Sequence, residues 1–302
     1  MKIEDTYKDW PKGIYHLSSD GKTITLFHNE QEYVHGMNSI ALAAAMFDVA
    51  IYSFTLMKTH LHLLLQGTGE IITRMFFFLR KRIKAQLIDD GQMPIPDEYW
   101  FKLVKVEDDM SLRRHFVYVA RNAMEALSVI PSGYLWGSAY LAYSRVYSMI
   151  DSIPADRMSV RDMKALLRSS QAIPGNYRIH PGLKLILPES YVDMSLFYKV
   201  FPNVRQYLTT LVKDVEAYVY VAEQLGEVLE YSVEDATELM KTLMSRLYPN
   251  ARFKDLPNDD KCKLISMMYY QYHVQDYVIS QTVFINLQMI RQIVHSKQYA
   301  LK

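Results

Sequence analysis

Apolar and polar residues first alternate and then recur at helical spacing, and the switches between these patterns divide the chain. Gly13-Ile-Tyr-His-Leu-Ser18 has a strand's alternation, and Ser19-Asp-Gly21 is a turn signal leading to a second extended piece, Thr23 to Phe27. From Glu30 to Met46 the apolar positions keep a helical period. Val49 to Leu56 and Leu61 to Gln66 read as strands joined by Met57-Lys-Thr59. Beyond a turn at Gly67 to Glu70, the pattern predicts an amphipathic helix over Ile71 to Leu87, a loop over Asp89 to Pro96, a strand over Tyr99 to Val106 and a helix over Asp109 to Leu127. The apolar run Ser39 to Leu56 is interrupted by Asp48 and β-rich in its second half, so it reads as a helix end and a central strand rather than a membrane span.

The order β-α-β-β-α-β followed by a helix predicts an α+β fold: a ferredoxin-like antiparallel sheet with helices on one face and the other face available for a site. After Tyr134-Leu-Trp-Gly-Ser-Ala-Tyr140 helical signals dominate, which predicts a mainly helical C-terminal region and a boundary near residues 145 to 158. The expected organisation is a catalytic-type domain over 1–145, a helical extension of unassigned role over 146–255, and a helix-turn-helix-like segment over 256–302. Helices are expected to begin at Ser159, near Asp193, near Asn203 and at Ser232, where Ser-Val-Glu-Asp offers an N-cap with acidic residues in the first turn. In the last segment two helical stretches flank an interruption near Ile279 to Phe284. Leu264, Met267, Met268, Tyr272, Val278, Ile279, Ile285, Met289, Ile290 and Ile293 would form its core. Its second helix would present Asn286, Gln288, Arg291 and Gln292 outward, residue types suited to base edges and phosphates. An ordinary helical hairpin fits the same pattern.

Composition narrows the classes. At 302 residues and 50% hydrophobic the chain can bury a substantial core, and a formal charge of +1 confines any nucleic-acid binding to local patches. One cysteine, Cys262, excludes an internal disulfide and is most simply a small buried hydrophobe. With no apparent signal sequence at Met1-Lys-Ile-Glu-Asp5, a cytoplasmic protein is expected.

The candidate chemistry starts at His60-Leu-His62. On a strand, residues i and i+2 share a face, so two imidazoles project together while Leu61, Leu63 and Leu65 fill the other side. Two neutral imidazoles so placed can grip one divalent metal, although His-x-His alone also describes two polar residues on a wet strand face. A catalytic metal needs a further ligand and an open position. Asn122 is the candidate, and Tyr118 lies one turn earlier on the same helical face. Were that helix to cover the histidine face, a metal could polarise a phosphodiester while the tyrosine oxygen attacks phosphorus.

Leu56-Met-Lys-Thr-His-Leu-His-Leu-Leu-Leu65 resembles the Met-x-Asn-His-x-His-Leu-Leu signature of the single-tyrosine HUH transposases. Gly13-Ile-Tyr-His-Leu-Ser18 with Leu26-Phe27 and Tyr33 is similar to that family's first strand and following helix, and Tyr99-Trp-Phe-Lys102 sits where its Leu-Trp-Gln block stands. Tyr118-Val-Ala-Arg-Asn-Ala-Met124, with Leu135-Trp-Gly-Ser138, resembles the Tyr-Ile-x-x-Asn-Pro-Val and Trp-x-Ser-Ser blocks of the REP-associated branch. The resemblance covers roughly residues 10 to 145.

The resemblance implies a metal-dependent single-strand DNA endonuclease and transesterase that forms a 5′-phosphotyrosine link and leaves a free 3′-hydroxyl. Tyr118 would be the nucleophile, and His60, His62 and Asn122 the ligands of Mg2+ or Mn2+. Single-stranded or hairpin DNA would be the partner of a monomer or homodimer without membrane association. The basic helix with Arg74, Arg80, Lys81, Arg82 and Lys84 then gains a reading as a phosphate contact, with Lys102, Arg121 and Arg291 as further candidates. Lys58-Thr59 replaces the family's Pro-Asn, Ala123 its proline, and Ser19-Asp20 a common Arg-Gly pair; none of these removes a catalytic group. A catalytically silent, domesticated DNA-binding or regulatory protein on the same scaffold is the alternative, and a metal-dependent hydrolase of small phosphoesters a third reading.

Overall fold

The computed structural model describes residues 6–20, 24–127, 131–142, 151–213, 215–227 and 231–295. Its first part follows the expected order: strand β1 (Gly13–Ser19), helix α1 (Glu30–Met46), β2 (Ala50–Leu56), β3 (Leu61–Gly67), α2 (Gly69–Asp89), β4 (Phe101–Lys105) and α3 (Asp109–Leu127). The four strands form one antiparallel sheet in the order β2-β3-β1-β4, as the ferredoxin-like pattern requires. Local chemistry sets the helix starts. At α1, Asn29 Oδ1 accepts from Glu32 N at 3.0 Å while the Glu32 carboxylate reaches back to His28 N at 2.6 Å, a reciprocal cap. Thr68 caps α2 by accepting from Ile71 N.

Strand parity separates two sheet faces. Tyr15, Leu17, Leu61, Leu63, Leu65, Phe101 and Leu103 enter the main core with Met37, Ile40, Met75, Phe76 and Leu79 of α1 and α2. Phe76 and Phe101 meet with ring centroids 4.4 Å apart. Helix α3 lies across the opposite face, where Thr55 Oγ1 donates to Val119 O at 2.7 Å. Both faces are therefore covered by helix. The apolar run ends α1 at Met46 and continues in β2, and no described helix is long and apolar enough to cross a membrane.

Several elements differ from the sequence expectations. Ile24 to Phe27 is irregular rather than extended, because Leu26 N and Phe27 N both donate to Lys58 O instead of to a neighbouring strand; Thr23 lies outside the described residues. A second, three-stranded sheet, β5 (Ile153–Pro154), β6 (Arg178–His180) and β7 (Leu185–Ile186), stands in the region expected to be helical. Strands of two or three residues are too short to show a period. Asn38 ties this sheet to α1, donating to Lys184 O and accepting from Ile186 N, both at 2.8 Å. Arg82 Nη2 donates to Leu167 O at 2.5 Å, tying in α4 (Val160–Leu167), whose cap is the expected Ser159.

The chain divides into two compact units between Tyr207 and Leu208, later than the expected residues 145 to 158, since Asn38, Arg82 and a parallel bridge from Ile51 to Val192 bind the intervening stretch to the first unit. Helix α5 (Ser195–Val200) belongs to that unit, and α6 (Val204–Lys213) runs across the division. The second unit contains α7 (Val215–Leu225), α8 (Val233–Leu247), α9 (Asn258–Tyr270), α10 (Asp276–Val283) and α11 (Leu287–Val294). Ser232 caps α8 as the sequence predicts. Residues Ile279 to Val283, expected as an interruption, are helical. The break between α10 and α11 is the three-residue turn Phe284 to Asn286, with Phe284 in the left-handed region at φ 56°. Leu264, Met268, Val278, Ile279 and Ile290 are buried there, whereas Met289, expected in the core, is exposed. Cys262 is only half-buried.

Candidate functional site

The site is assembled where α3 crosses β1 and β3. The register pairs Thr55 with His62, His62 with Ser18, and Ser18 with Lys102, so these four residues form one cross-strand row on the face that α3 covers. In the neighbouring row His16 pairs with Leu64 and Val104. His16 and His62 are thus diagonal neighbours. His60 lies just before β3, with its ring centroid 4.9 Å from that of His62 and nearly perpendicular to it. Tyr118 projects from α3 onto this cluster, 5.5 Å from the His62 ring and 5.6 Å from the His16 ring, centroid to centroid. It is fully buried.

Two histidines absent from the expected site sit at its centre. His16 Nε2 is 3.1 Å from His62 Nδ1, and His16 Nδ1 is 2.8 Å from His115 Nδ1. Burial, reinforced by the neighbouring His115 and His62, holds the His16 imidazole well below the usual range, and burial brings His115 down to about 4. The rings are therefore neutral at physiological pH. The signals for these residues were weak but present: His16 shares strand parity with Ser18 rather than with Tyr15 and Leu17, and His115 is one turn before Tyr118 on α3.

Asn122 is buried and its amide nitrogen donates to Tyr118 O at 2.9 Å, a bond within its own helix, so only its amide oxygen could serve as a metal ligand. The structure therefore brings His60, His62 and Tyr118 together and ties Asn122 to the tyrosine's backbone.

No protein-family model matches the chain, and no curated protein matches it. One solved structure, a REP-associated tyrosine transposase bound to a REP hairpin, superposes with a TM-score of 0.37 at 13% identity, over 56% of this chain and 94% of its own. That likeness is remote. The chemistry rests on the chain's own residues.

The ring orientations of the two histidines are compatible with a divalent ion. His60 Nδ1 lies 3.0 Å from Thr59 Oγ1 and His62 Nδ1 lies against His16, so each ring is oriented through Nδ1, an arrangement common to histidines that ligate through Nε2. Neutral imidazoles are the ligating form. Among the described residues no group of three or more His, Cys, Asp or Glu is arranged to hold a metal. A site here would combine two imidazoles with the Asn122 amide oxygen.

The basic residues are dispersed. Helix α2 covers the sheet face opposite the histidines, so Arg74, Arg80, Lys81, Arg82 and Lys84 do not border the site. Arg74 and Lys81 are exposed, Arg80 and Lys84 each lie 3.4 Å from Asp97, and Arg82 is bound to Ser39 Oγ and Leu167 O. Arg121 is buried rather than exposed to a ligand. Lys102 is exposed at the β4 end of the row containing His62. Arg291, in the second unit, pairs with Asp276 at 2.7 Å.

Proposed function

We propose that the chain is a metal-dependent single-strand DNA endonuclease and strand-transfer enzyme in which Tyr118 forms a 5′-phosphotyrosine link. The observation that supports this most directly is the 5.5 Å approach of the Tyr118 and His62 rings, made by two elements that share no local sequence. His60, His62 and Asn122 would hold the ion. When bound, Mg2+ or Mn2+ would polarise the scissile phosphate and offset charge on its oxygens. The Tyr118 phenol would give up its proton as its oxygen bonds to phosphorus and the bond from phosphorus to the 3′ oxygen breaks, and the 3′ oxygen, taking up one proton in turn, would leave as a hydroxyl. Lys102, exposed at the end of the His62 row, would neutralise a phosphate of the bound strand.

The burial of Tyr118 favours a second reading, a catalytically silent DNA-binding or regulatory protein on this scaffold, because a phosphate reaches a buried phenol only if side chains or α3 shift. One experiment separates the two. Single-stranded hairpin DNA is incubated with the full chain and Mg2+ or Mn2+, and denaturing gels are read for a covalent adduct. Adduct with the wild type and none with Tyr118→Phe supports the enzyme; no adduct across varied hairpins with either ion supports the silent protein.

A further inference from the structure

His62, His16 and His115 come from β3, β1 and α3 and form a continuous line of buried imidazoles. Two hydrogen bonds join them, His62 Nδ1 to His16 Nε2 at 3.1 Å and His16 Nδ1 to His115 Nδ1 at 2.8 Å. Each bond between ring nitrogens needs one proton, and each neutral imidazole carries one. An added charge on this fully buried line would be costly. Three protons therefore fill two bonds and one outer nitrogen, which leaves two arrangements. In the first, His62 donates from Nδ1 to His16, His16 donates from Nδ1 to His115, and His115 carries its proton on Nε2. In the second every bond is reversed, and His62 carries its proton on Nε2.

We propose that His16 and His115 are positioning residues that set the tautomer of His62, so that divalent-metal binding at His62 Nε2 is coupled to protonation of His115 Nε2. The inference rests on the reading that His60 and His62 hold the ion. A metal needs a lone pair, and only the first arrangement supplies one at His62 Nε2. That arrangement places a proton on His115 Nε2, a buried nitrogen with no hydrogen-bond partner among the described residues, so the metal-competent state carries an unsatisfied donor at its far end. With the His115 ring replaced, His16 would keep its proton on Nε2, where His62 can accept it. His62 would then shift to its non-ligating form.

The test uses the full chain, manganese or magnesium alone, and two readouts. Calorimetric Mn2+ titration is expected to show binding roughly 10-fold or more weaker in His16→Phe and His115→Phe, the scale of an orienting partner's loss. His16→Gln is expected to retain near-wild-type affinity, because its amide can accept from His62 and donate to His115. Nitrogen-15 NMR of the Mg2+-saturated wild type should show His16 protonated on Nδ1 and His115 on Nε2. Loss of Mn2+ binding in His62→Ala with unchanged binding in His16→Phe and His115→Phe would overturn the coupling alone. Unchanged binding in both His60→Ala and His62→Ala would overturn the metal site itself. Should the phenylalanine variants fail to fold, the wild-type spectrum decides: a proton on His115 Nδ1 in the Mg2+-loaded protein refutes the proposal.

Discussion

Thr55 Oγ1 donates to the carbonyl of Val119, one residue beyond Tyr118, and Thr55 is also the register partner of His62. One hydroxyl therefore joins the strand row carrying the histidine to the helix carrying the tyrosine. Thr55→Val keeps the shape and removes the bond. Stability should fall by about 1 kcal/mol, measured by urea unfolding. If Tyr118 is the nucleophile, the rate of adduct formation should fall further than DNA affinity; equal losses in both would count against this positioning role.

His35 gives the fold an acid sensitivity separate from the site. Burial, helped by the nearby positive Arg82 and Arg168, lowers its imidazole to about 4. The unfolded chain, near the ordinary value of ~6.5, takes up the proton more readily between those limits. This contribution is complete above about pH 6.5 and is lost as pH falls towards 4, at ~1.4 kcal/mol per pH unit. Between pH 7 and pH 5 the wild type should lose about 2 kcal/mol more than His35→Gln, compared by urea unfolding at each pH.

Helix α2 divides its cations between architecture and surface. Arg82 donates from Nε to Ser39 Oγ at 2.8 Å and from Nη2 to Leu167 O, linking α1, α2 and α4. Arg82→Ala should cost roughly 1–3 kcal/mol, whereas Arg74→Ala and Lys81→Ala should change stability by no more than about 0.5 kcal/mol. Thermal unfolding of the three variants checks this.

If a DNA strand binds along the histidine row, Lys102, exposed at its β4 end, would meet a phosphate. Lys102→Ala should lower the slope of log affinity against log salt by about 1 on single-stranded DNA. Arg74→Ala, on the opposite face, should leave the slope unchanged in the same titration.

Phe284 holds a left-handed backbone at φ 56° between α10 and α11 with its ring 95% exposed. A side chain in that conformation costs about 1 kcal/mol or more relative to glycine, and this one gains little from burial. Phe284→Gly should raise the unfolding temperature. A fall would show that the exposed ring contributes contacts exceeding the backbone gain.

These contrasts also explain what could be read from residues alone. Elements with their own period or cap were legible: α2 from its amphipathic stripe, α4 and α8 from Ser159 and Ser232, and β3 from the alternation around His62. Elements defined by distant partners were not. Ile24 to Phe27 takes its hydrogen bonds from Lys58 O, β5 to β7 are too brief to alternate, and nothing local marks the left-handed Phe284. The same rule applies at the candidate site. His60 and His62 announce themselves by spacing, while His16 stands out only once β3 and α3 bring His62 and His115 to its two nitrogens.

The sheet's two outer strands are protected differently from pairing with another molecule. Along β2, Leu56 N donates to Trp136 O, Phe54 N to Ser138 Oγ, and Asp193 N to Ile51 O, so irregular segments occupy that margin. At the other margin β4 has only five residues and carries the exposed lysines Lys102 and Lys105. A short strand bearing positive charges disfavours edge-to-edge association with a second sheet. Lys102, a candidate phosphate contact, thus doubles as a guard against aggregation, and neutralising both lysines would leave β4 only its shortness to resist pairing.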